Sequence, residues 1–402
     1  MFNLNYMQSV ASKEFQRWYK QPETRKRKWF EISGAAGTGK TTVVRHIISE
    51  LGISYDDVVF MAYVGKAALA LRLSGVDGRT VHSVIYDTTK IPERDETGKI
   101  LRLPNGDPKL KPRFTKKETL PENIKLIVVD EGGMISQEMG NQILSFNIPT
   151  LVLGDLNQLP PVFGQGAFLQ KPDVILNEVM RQSKDSSILY LAQLAMHKIM
   201  IPYASYNDGE CKVIHKYELT EDHLRWADLV ITPNNRTRDT VNWFIRKNIR
   251  GITEPYIVPG DRLICRKNCW DTMLPGNEFD IDIALVNGLI GDVVHTDKNT
   301  GTKEIGMRIN FKPEFSNSSF LNVPIDPLYP LQPIDLRKNE NSRYTKTVAF
   351  ELGDCSTCHL AQGSQYDNIL VYLEGSPTTS DYFAKWLYTA ITRAKKGVII
   401  AM

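Results

Sequence analysis

The feature that most constrains this chain is a glycine-rich run, GAAGTGKT, at residues 34–41. The run fits the pattern G-x-x-x-x-G-K-[ST], follows an apolar segment at 29–33 and precedes an amphipathic segment at 42–51. The glycines let backbone N–H groups point inward around phosphate oxygens, and the N-terminus of the following helix adds partial positive charge. The context therefore predicts a strand, a phosphate-binding loop and a helix, which together open an α/β fold.

The chemistry of such a loop assigns roles to its residues. We expect Lys40 to neutralise the β- and γ-phosphates of ATP and Thr41 to bind Mg²⁺. The residues predicted to hold ATP are Gly34, Ala35, Ala36, Gly37, Thr38, Gly39, Lys40, Thr41 and Thr42.

Two later segments supply the polar groups that hydrolysis would need. LIVVDEGG, at residues 126–133, is an apolar strand that ends in Asp130 and Glu131. An Asp at the carboxyl end of such a strand reaches Mg²⁺, and we expect the adjacent Glu131 to polarise the attacking water. LVLGDLNQLPP, at residues 151–161, places Gln158 where its amide can orient water or sense the γ-phosphate. These residues and Lys40 are the predicted catalytic set of this part of the chain.

Length and composition limit the class of protein. The 402 residues predict two to three domains, and the net charge of +3 excludes a histone-like polycation. No apolar run approaches the ~18 residues of a membrane span, and the first residues lack the apolar core of a secretory signal. Five cysteines argue against a disulfide framework and for a reducing compartment such as the cytoplasm.

Short apolar runs alternate with longer mixed segments, which is typical of α/β proteins. Runs that are rich in Val, Ile and Leu with little alternation predict central parallel strands. These runs lie at 29–33, 58–63, 124–130, 150–154, 229–232, 369–373 and 397–401.

Two stretches break this pattern and predict inserts. Residues 90–117 hold nine Lys or Arg and four Asp or Glu, and Asn105-Gly106 lies there between short, partly apolar arms. Asn-Gly between such arms favours a hairpin turn, so we predict a basic hairpin insert at 87–122. Residues 277–345 have the composition of a β-meander.

Further motifs occur in a recognisable order. They are LNYMQ at 4–8, AYVGKAA at 62–68, TVHS at 80–83, LNEVMRQ at 176–182, TPNN at 232–235, TCHLAQG at 357–363 and LYTAITRA at 387–394. With the phosphate loop and the two acidic segments, this set resembles superfamily 1 helicases, in the 5′→3′ branch that contains RecD and the phage helicase Dda. One such motif would be a weak signal, whereas about nine in the family's order form a specific one.

The resemblance implies further site residues. Gln8 would read adenine, Gly363 would join the ATP site, and Arg181 and Arg393 would reach the γ-phosphate as catalytic arginines. The residues implied to contact DNA are Tyr63, Lys66, Thr80, His82, Asn105, Asn235, Thr357 and His359. Tyr63 stands where the family often has proline, and stacking on a base and packing in the core remain equal alternatives for its ring.

The resemblance also implies a fold of two RecA-like P-loop NTPase domains that sandwich ATP. The first domain is expected at 1–165, and its insert at 87–122 would form a pin that splits a duplex. The second domain is expected in two parts, 166–276 and 346–402, separated by an SH3-like β insert at 277–345.

The implied function is an ATP- and Mg²⁺-dependent DNA helicase that moves 5′→3′ on single-stranded DNA. It would unwind duplex or forked DNA in replication, recombination or repair, with single-strand binding protein or replication proteins as partners and no membrane. Both γ-phosphate arginines in one chain would let a monomer suffice, in the cytoplasm of a bacterium or a phage-infected cell. An RNA helicase of the same superfamily and an ATP-driven nucleoprotein remodeller without strand separation remain alternatives.

Two cysteine pairs match metal patterns. CSTCH at 355–359 fits the haem-attachment string C-x-x-C-H, and with Cys265 and Cys269 the same pair could form a four-thiolate zinc site. The helicase-like motif at 357–363 already accounts for Cys358 and His359, so neither haem nor zinc is predicted.

Overall fold

The computed structural model describes residues 4–35, 37–95, 97–102, 106, 108, 110–161, 164–177, 186–206, 210–279, 281–297, 306–333, 347–374 and 380–402. The helices are α1 (Tyr6–Lys20), α2 (Lys40–Leu51), α3 (Gly65–Leu73), α4 (Val81–Ile85), α5 (Gln137–Leu144), α6 (Ser187–Met196), α7 (Glu221–Trp226), α8 (Asn235–Phe244), α9 (Cys358–Ala361) and α10 (Asp381–Ile391). Across these described ranges, none of the helices has the length and apolar content needed to cross a membrane.

The strands form three main sheets and two smaller pairs. They are β1 (Trp29–Gly34), β2 (Val58–Ala62), β3 (Gly78–Thr80), β4 (Tyr86–Pro92), β5 (Leu110–Lys116), β6 (Leu126–Asp130), β7 (Thr150–Gly154), β8 (Val174–Leu176), β9 (Ala204–Tyr206), β10 (Cys211–Ile214), β11 (Leu229–Thr232), β12 (Arg262–Cys265), β13 (Cys269–Met273), β14 (Ala284–Leu285), β15 (Ile290–Asp297), β16 (Met307–Pro313), β17 (Phe320–Ile325), β18 (Phe350–Leu352), β19 (Cys355–Thr357), β20 (Tyr366–Tyr372) and β21 (Ala394–Ala401).

The first sheet has the order β3-β2-β6-β7-β1-β8, and all its neighbouring strands are parallel. Alternate residues of one strand enter two separate apolar clusters. Val128 of β6 packs in one cluster, while Ile127 and Val129 pack in the other. Both faces are therefore buried under helices and loops, which explains why these strands read as continuous apolar runs. We call this sheet with its helices the first unit.

The second sheet has the order β19-β11-β20-β21-β10-β9. Its first five strands are parallel, and β9 pairs antiparallel with β10 at one edge. Helices α6 and α10 pack together in the large apolar cluster beside this sheet. We call this sheet with its helices the second unit, so the α/β architecture with two parallel sheets that the sequence predicts is confirmed.

The third sheet is antiparallel, in the order β17-β16-β15-β12-β18. Strands β15, β16 and β17 are consecutive and form the meander predicted within 277–345. The sheet also takes in β12 and β18, which lie on either side of that range.

The seven apolar runs predicted as strands are confirmed as β1, β2, β6, β7, β11, β20 and β21. The bounds shift by a few residues, and the sixth run begins at Tyr366. The first sheet also extends past residue 165, because β8 (Val174–Leu176) pairs with β1. The sequence did not indicate β8, since three residues are too few for a periodicity signal.

Strands β4 and β5 form the basic arm, in which Tyr86 pairs with Lys116 and Pro92 with Leu110. Beyond them the arm carries two further bridges, Arg94 to Ile100 and Arg102 to Pro108. Each bridge encloses a glycine of positive φ, Gly98 at 84° and Gly106 at 90°. The arm thus turns at two places, where the sequence indicated only one. Asn105, a predicted DNA contact, lies outside the described residues.

Candidate functional site

The phosphate loop joins β1 to α2. Gly37 and Gly39 have φ values of 83° and 81°, in the left-handed region that favours glycine. The Lys40 ammonium donates to the carbonyl oxygens of Gly34 and Ala35, at 2.6 and 3.1 Å. The Lys40 side chain therefore lies against the phosphate loop. When a phosphate binds, its oxygens would replace the Gly34 and Ala35 carbonyls as acceptors from the ammonium. Ala36 lies outside the described residues.

Gln8 braces the loop from α1. It is 2% exposed, and its side-chain amide donates to the Thr38 carbonyl oxygen at 2.9 Å. The side-chain oxygen of Gln8, Oε1, accepts from the Asn5 backbone N–H at 3.0 Å, and this bond caps α1. A Cβ on Gly39 would come within 2.4 Å of the Gln8 amide, so glycine is required there for this contact. Reading of adenine by Gln8 stays a prediction.

Two carboxylates lie beside the loop at the end of β6. Burial raises the pKa of Asp130, although the nearby Lys40 ammonium acts in the opposite direction. Burial and the Asp130 charge raise the pKa of Glu131, and Arg393 and Lys40 oppose that rise. Two half-buried carboxyl groups whose pKa values are raised fit a divalent cation, which would favour their ionised forms. Thr41, the second residue of α2, and Asp130 would hold Mg²⁺ here.

The segment from Asp155 to Pro161 follows β7, and we call it the bridging loop. Asp155 is 5% exposed, and its carboxylate accepts from the Tyr388 hydroxyl at 2.8 Å and from the Asn157 backbone N–H at 3.0 Å. Gln158, the predicted water-orienting residue, is 8% exposed in this loop. Because Tyr388 belongs to α10, the Asp155 contact joins the two units.

Three more hydrogen bonds tie the bridging loop to the second unit. The Leu159 N–H donates to the Thr389 hydroxyl at 3.0 Å, and the Gln362 amide donates to the Leu159 carbonyl at 3.3 Å. The Lys385 ammonium donates to the Leu156 carbonyl at 3.0 Å. Sequence reasoning assigned no role to Lys385, Tyr388 or Thr389. Their spacing of three and four places them on one face of α10, and this polar stripe was the available signal.

Arg393 lies just after α10 and is 2% exposed. Its guanidinium donates to the Thr389 carbonyl at 3.0 Å and to the Ser364 carbonyl at 3.2 Å. Its charge also opposes the pKa rise of Glu131, so the arginine lies within electrostatic range of that carboxyl group of the first unit. Its predicted contact with the γ-phosphate stays a prediction. Arg181, its predicted companion, lies outside the described residues.

Aromatic rings line the base of the basic arm. The His82 ring lies 6.3 Å from Tyr63, 5.6 Å from Tyr86 and 6.1 Å from Phe114, measured between ring centroids. Phe114 is 52% exposed, so the group opens to solvent. Burial lowers the pKa of His82, which favours its neutral ring. Tyr63 and His82, two predicted DNA contacts, are thus brought together.

Two other predicted DNA contacts of the first unit are engaged within the protein. Thr80 is 4% exposed, and its hydroxyl oxygen accepts from the Ser83 N–H at 3.3 Å as the cap of α4. The Lys66 ammonium donates to the Tyr366 hydroxyl at 3.0 Å and lies 3.9 Å from the Glu314 carboxylate. The contact with DNA that the resemblance implies for Lys66 would compete with these two partners.

The predicted DNA contacts of the second unit lie at the carboxyl ends of its strands. Asn235 is exposed at the first turn of α8, and Thr357 precedes α9. His359 and Tyr63 face a cleft of about 320 Å³ between the units. Gly363, with φ of 74°, lies against Ala67 of the first unit, where an added Cβ would approach to 3.2 Å. The other residues that line the cleft are Met134, Ser136, Gln137, Glu138, Pro160, Pro161, Gly164, Gln165 and Gln362.

Three of the four cysteines in the two pairs are buried. Burial raises the pKa of Cys265, Cys355 and Cys358 to about 12, which favours the protonated thiol over the thiolate that binds metals. Within the described part of the chain, no group of three or more His, Cys, Asp and Glu side chains could hold a metal ion.

Two family models match parts of the chain. An AAA domain matches residues 13–209, and a UvrD-like helicase C-terminal domain matches residues 352–401. Together these matches support the resemblance of the chain to superfamily 1 helicases of the RecD-like branch.

Curated relatives match the chain over different lengths. An uncharacterised protein of Methanocaldococcus jannaschii is 22% identical over 447 residues, which cover 92% of this chain and 36% of the relative. The ATP-dependent DNA helicase Pif1 of Campylobacter jejuni is 31% identical over 137 residues, which cover 33% of this chain and 28% of the relative. The chain thus spans about a third of the length of these relatives.

Solved helicase structures share the fold. A structure of two coordinating Pif1 helicases on forked DNA has a TM-score of 0.56 at 15% identity, over 100% of this chain and 92% of that one. The Pif1 helicase of Candida albicans gives 0.55 at 16%, over 100% and 94%. The Bacteroides Pif1 bound to single-stranded DNA gives 0.54 at 15%, over 100% and 93%. At these identities the likeness shows the fold.

Proposed function

We propose that this protein is an ATP-driven DNA helicase that moves along single-stranded DNA and separates the strands of a duplex. The observation that carries the proposal is the contact between the units at Asp155 of the first unit, whose carboxylate accepts from the Tyr388 hydroxyl of the second at 2.8 Å. Arg393 follows the same helix, and its charge acts on Glu131 beside the phosphate loop. A nucleotide bound there would touch both units, so its binding and hydrolysis would change how they pack together.

The residues around the phosphate loop would divide the chemistry among them. Lys40 and the loop N–H groups would hold the phosphates, with Thr41 and Asp130 as ligands of Mg²⁺, which would neutralise charge on the transferring phosphoryl group. Glu131 would accept a proton from the attacking water while Gln158 orients it. Arg393, with Arg181 as predicted companion, would stabilise charge that develops in the transition state.

The bridging loop would carry the nucleotide state to the second unit. It lies after β7 of the first unit but is hydrogen-bonded to α10 and Gln362 of the second. If the two units move apart at the bridging loop, these hydrogen bonds break, and they form again when the units close. The predicted DNA contacts Asn235, Thr357 and His359 belong to the second unit, and Tyr63 belongs to the first. Repeated closure would therefore move the two sets of contacts in turn along a DNA strand.

DNA is the proposed track because the resemblance is to DNA helicases and because Pif1 structures with this fold contain single-stranded or forked DNA. Motion in the 5′→3′ direction, action in replication, recombination or repair, and service with a single-strand binding protein are inferred from the resemblance alone. So are a bacterial or phage origin and action in the cytoplasm. A monomer suffices in this proposal, since both γ-phosphate arginines belong to one chain.

Steady-state ATP hydrolysis with and without single-stranded DNA tests the proposal. We expect strong stimulation by DNA that is lost in Lys40→Ala and kept in Lys396→Ala, whose exposed lysine pairs with Asp367 of the second unit. RNA of matched sequence in the same assay tests the track, and forked duplexes with a 5′ or a 3′ tail test polarity. Hydrolysis that ignores DNA, or a forked duplex that stays paired, would contradict the helicase proposal.

A further inference from the structure

The carboxyl ends of the parallel strands of the second sheet share one edge. Ile231, Val371, Ile400 and Val213 pair in one row across β11, β20, β21 and β10. Each strand continues from this row toward the same edge. The segment at 233–235, proposed to contact DNA, therefore lies on the same edge as the segment that follows β10.

Three aromatic rings are stacked where β10 reaches that edge. The Tyr203 and His215 rings lie 3.7 Å apart with 27° between their planes, and His215 and Tyr217 lie 5.0 Å apart with 9°. Tyr203 is 49% exposed and Tyr217 is 83% exposed. We call Tyr203, His215 and Tyr217 the aromatic stack. Burial of apolar surface does not explain why the three rings are stacked, because the outermost ring, Tyr217, is mostly in solvent.

The stack lies within reach of a strand held at Asn235. From β11 to β10 there are three steps between neighbouring strands, or about 14 Å at roughly 4.8 Å a step. Stacked nucleotides rise about 3.4 Å each along a strand, so about four of them cover this distance. A strand that crosses the ends of β11, β20 and β21 would arrive at the stack.

Charges along this edge favour a polyanion. Arg236 and Lys216 both lie close enough to the Glu374 carboxylate to lower its pKa. The main causes of that lowering are the hydrogen bonds that Glu374 accepts from the Thr237 hydroxyl and the Asn234 amide. The Glu374 carboxylate on this edge is therefore held by neighbours of opposite or neutral charge. A second carboxylate, Glu218 beside the stack, accepts from the His215 backbone N–H at 2.7 Å.

We propose that the aromatic stack is a binding site for an unpaired base of single-stranded DNA, continuing the track beyond Asn235. The proposal rests on the proposed function. Aromatic faces that hold bases by stacking, beside cations that hold phosphates, are the composition that sequence-tolerant strand binding uses. The flat outer face of Tyr217 and the continuity with Asn235 favour a base over a protein surface.

Fluorescence anisotropy of the full chain with labelled oligo-dT of increasing length tests the site. Tyr217→Ala should bind long oligonucleotides at least about fivefold more weakly than wild type, because one stacking contact is lost. Oligonucleotides too short to span from the cleft to the stack should bind both proteins alike. Tyr217→Phe keeps the ring and should bind like wild type. Tyr55→Ala is the matched control, since Tyr55 is 46% exposed and precedes β2 of the first unit.

An oligonucleotide with abasic residues at the distal end separates base stacking from backbone contact, and it should bind wild type and Tyr217→Ala equally. Equal affinity of Tyr217→Ala and wild type for long oligo-dT would overturn the proposal, and the stack would then serve a protein partner. Equal weakening by Tyr217→Phe and Tyr217→Ala would overturn it too. If wild type binds no single-stranded DNA, the proposed function itself fails, whereas normal wild-type binding with an unaffected variant removes only this site.

Discussion

Two buried arginines of the second unit serve different purposes. Arg246 is 1% exposed and is paired with Asp261, which is fully buried, at 2.6 Å. Its guanidinium also donates to the Glu254 and Tyr256 carbonyls, so it holds a loop in place. Arg393 donates to the Thr389 and Ser364 carbonyl oxygens and to the Thr392 hydroxyl, and it has no carboxylate partner among the ion pairs of the described residues. Its charge is therefore not offset by an ion pair in this part of the chain, and it acts on Glu131.

We expect Arg393→Lys to lower the kcat of DNA-stimulated ATP hydrolysis by roughly 10³-fold or more, because a lysine lacks the planar fork that follows charge on the transferring phosphoryl. The KM for ATP should change much less, since Lys40 and the loop hold the ground state. Steady-state kinetics over a range of ATP concentrations separates the two. A rise in KM with kcat unchanged would show that Arg393 only binds nucleotide.

Removing one partner of the buried pair should be costly. We expect Arg246→Met to lower the free energy of unfolding by about 3–5 kcal/mol, because Asp261 is left charged in the interior. Lys396→Met is the matched control, since Lys396 and Asp367 also lie 2.6 Å apart but are well exposed. It should change stability little. Urea unfolding followed by circular dichroism measures both, and equal losses would show that burial is not the cause.

At the scale of elements, the central strands and the phosphate loop were the most predictable parts. Their signal is local: a run such as 126–129 is apolar throughout because both faces of the sheet are covered. The third sheet was only half predicted, because β12 and β18 join it from distant parts of the chain. Lys385, Tyr388 and Thr389 were missed for a related reason, since their partners lie more than 200 residues away.

The basic arm gives a prediction at this scale. Deleting residues 97–111 removes its outer part and leaves the pairing of Tyr86 with Lys116 at the base. We expect the variant to keep DNA-stimulated ATP hydrolysis and to lose unwinding, because the cleft is untouched while the projecting arm that would split a duplex is gone. Both activities are measured with one forked substrate. Loss of both together would refute the separation of roles.

At the scale of the whole molecule, one contact joins all three sheets. Lys66 of the first unit meets Tyr366 of the second unit, and its ammonium lies 5.2 Å from that ring. Glu314, which follows β16 of the third sheet, lies 3.9 Å from the same ammonium and also pairs with Arg262. Burial opposes the charged form of Lys66, but the hydroxyl and the carboxylate outweigh it and raise the pKa.

We expect Lys66 to stay in this contact when DNA binds. Lys66→Met should then leave the salt dependence of single-stranded DNA affinity unchanged and lower the melting temperature, because Glu314 loses a partner. Arg236→Met, at the exposed first turn of α8, should reduce the slope of log K against log salt by about 0.7. Anisotropy titrations at several salt concentrations measure both slopes. A similar fall for Lys66→Met would show that DNA draws this lysine out of the contact.

The hydrogen bond from the Leu159 N–H to the Thr389 hydroxyl has a kinetic consequence. An amide proton exchanges with solvent when its hydrogen bond breaks. The Leu159 hydrogen bond breaks when the two units move apart at the bridging loop. The deuterium uptake of Leu159 therefore times the separation of the two units. The uptake would be compared between nucleotide states and against an amide inside the first sheet, such as that of Val128. A single backbone position then reports how often the two units separate in the proposed stepping motion.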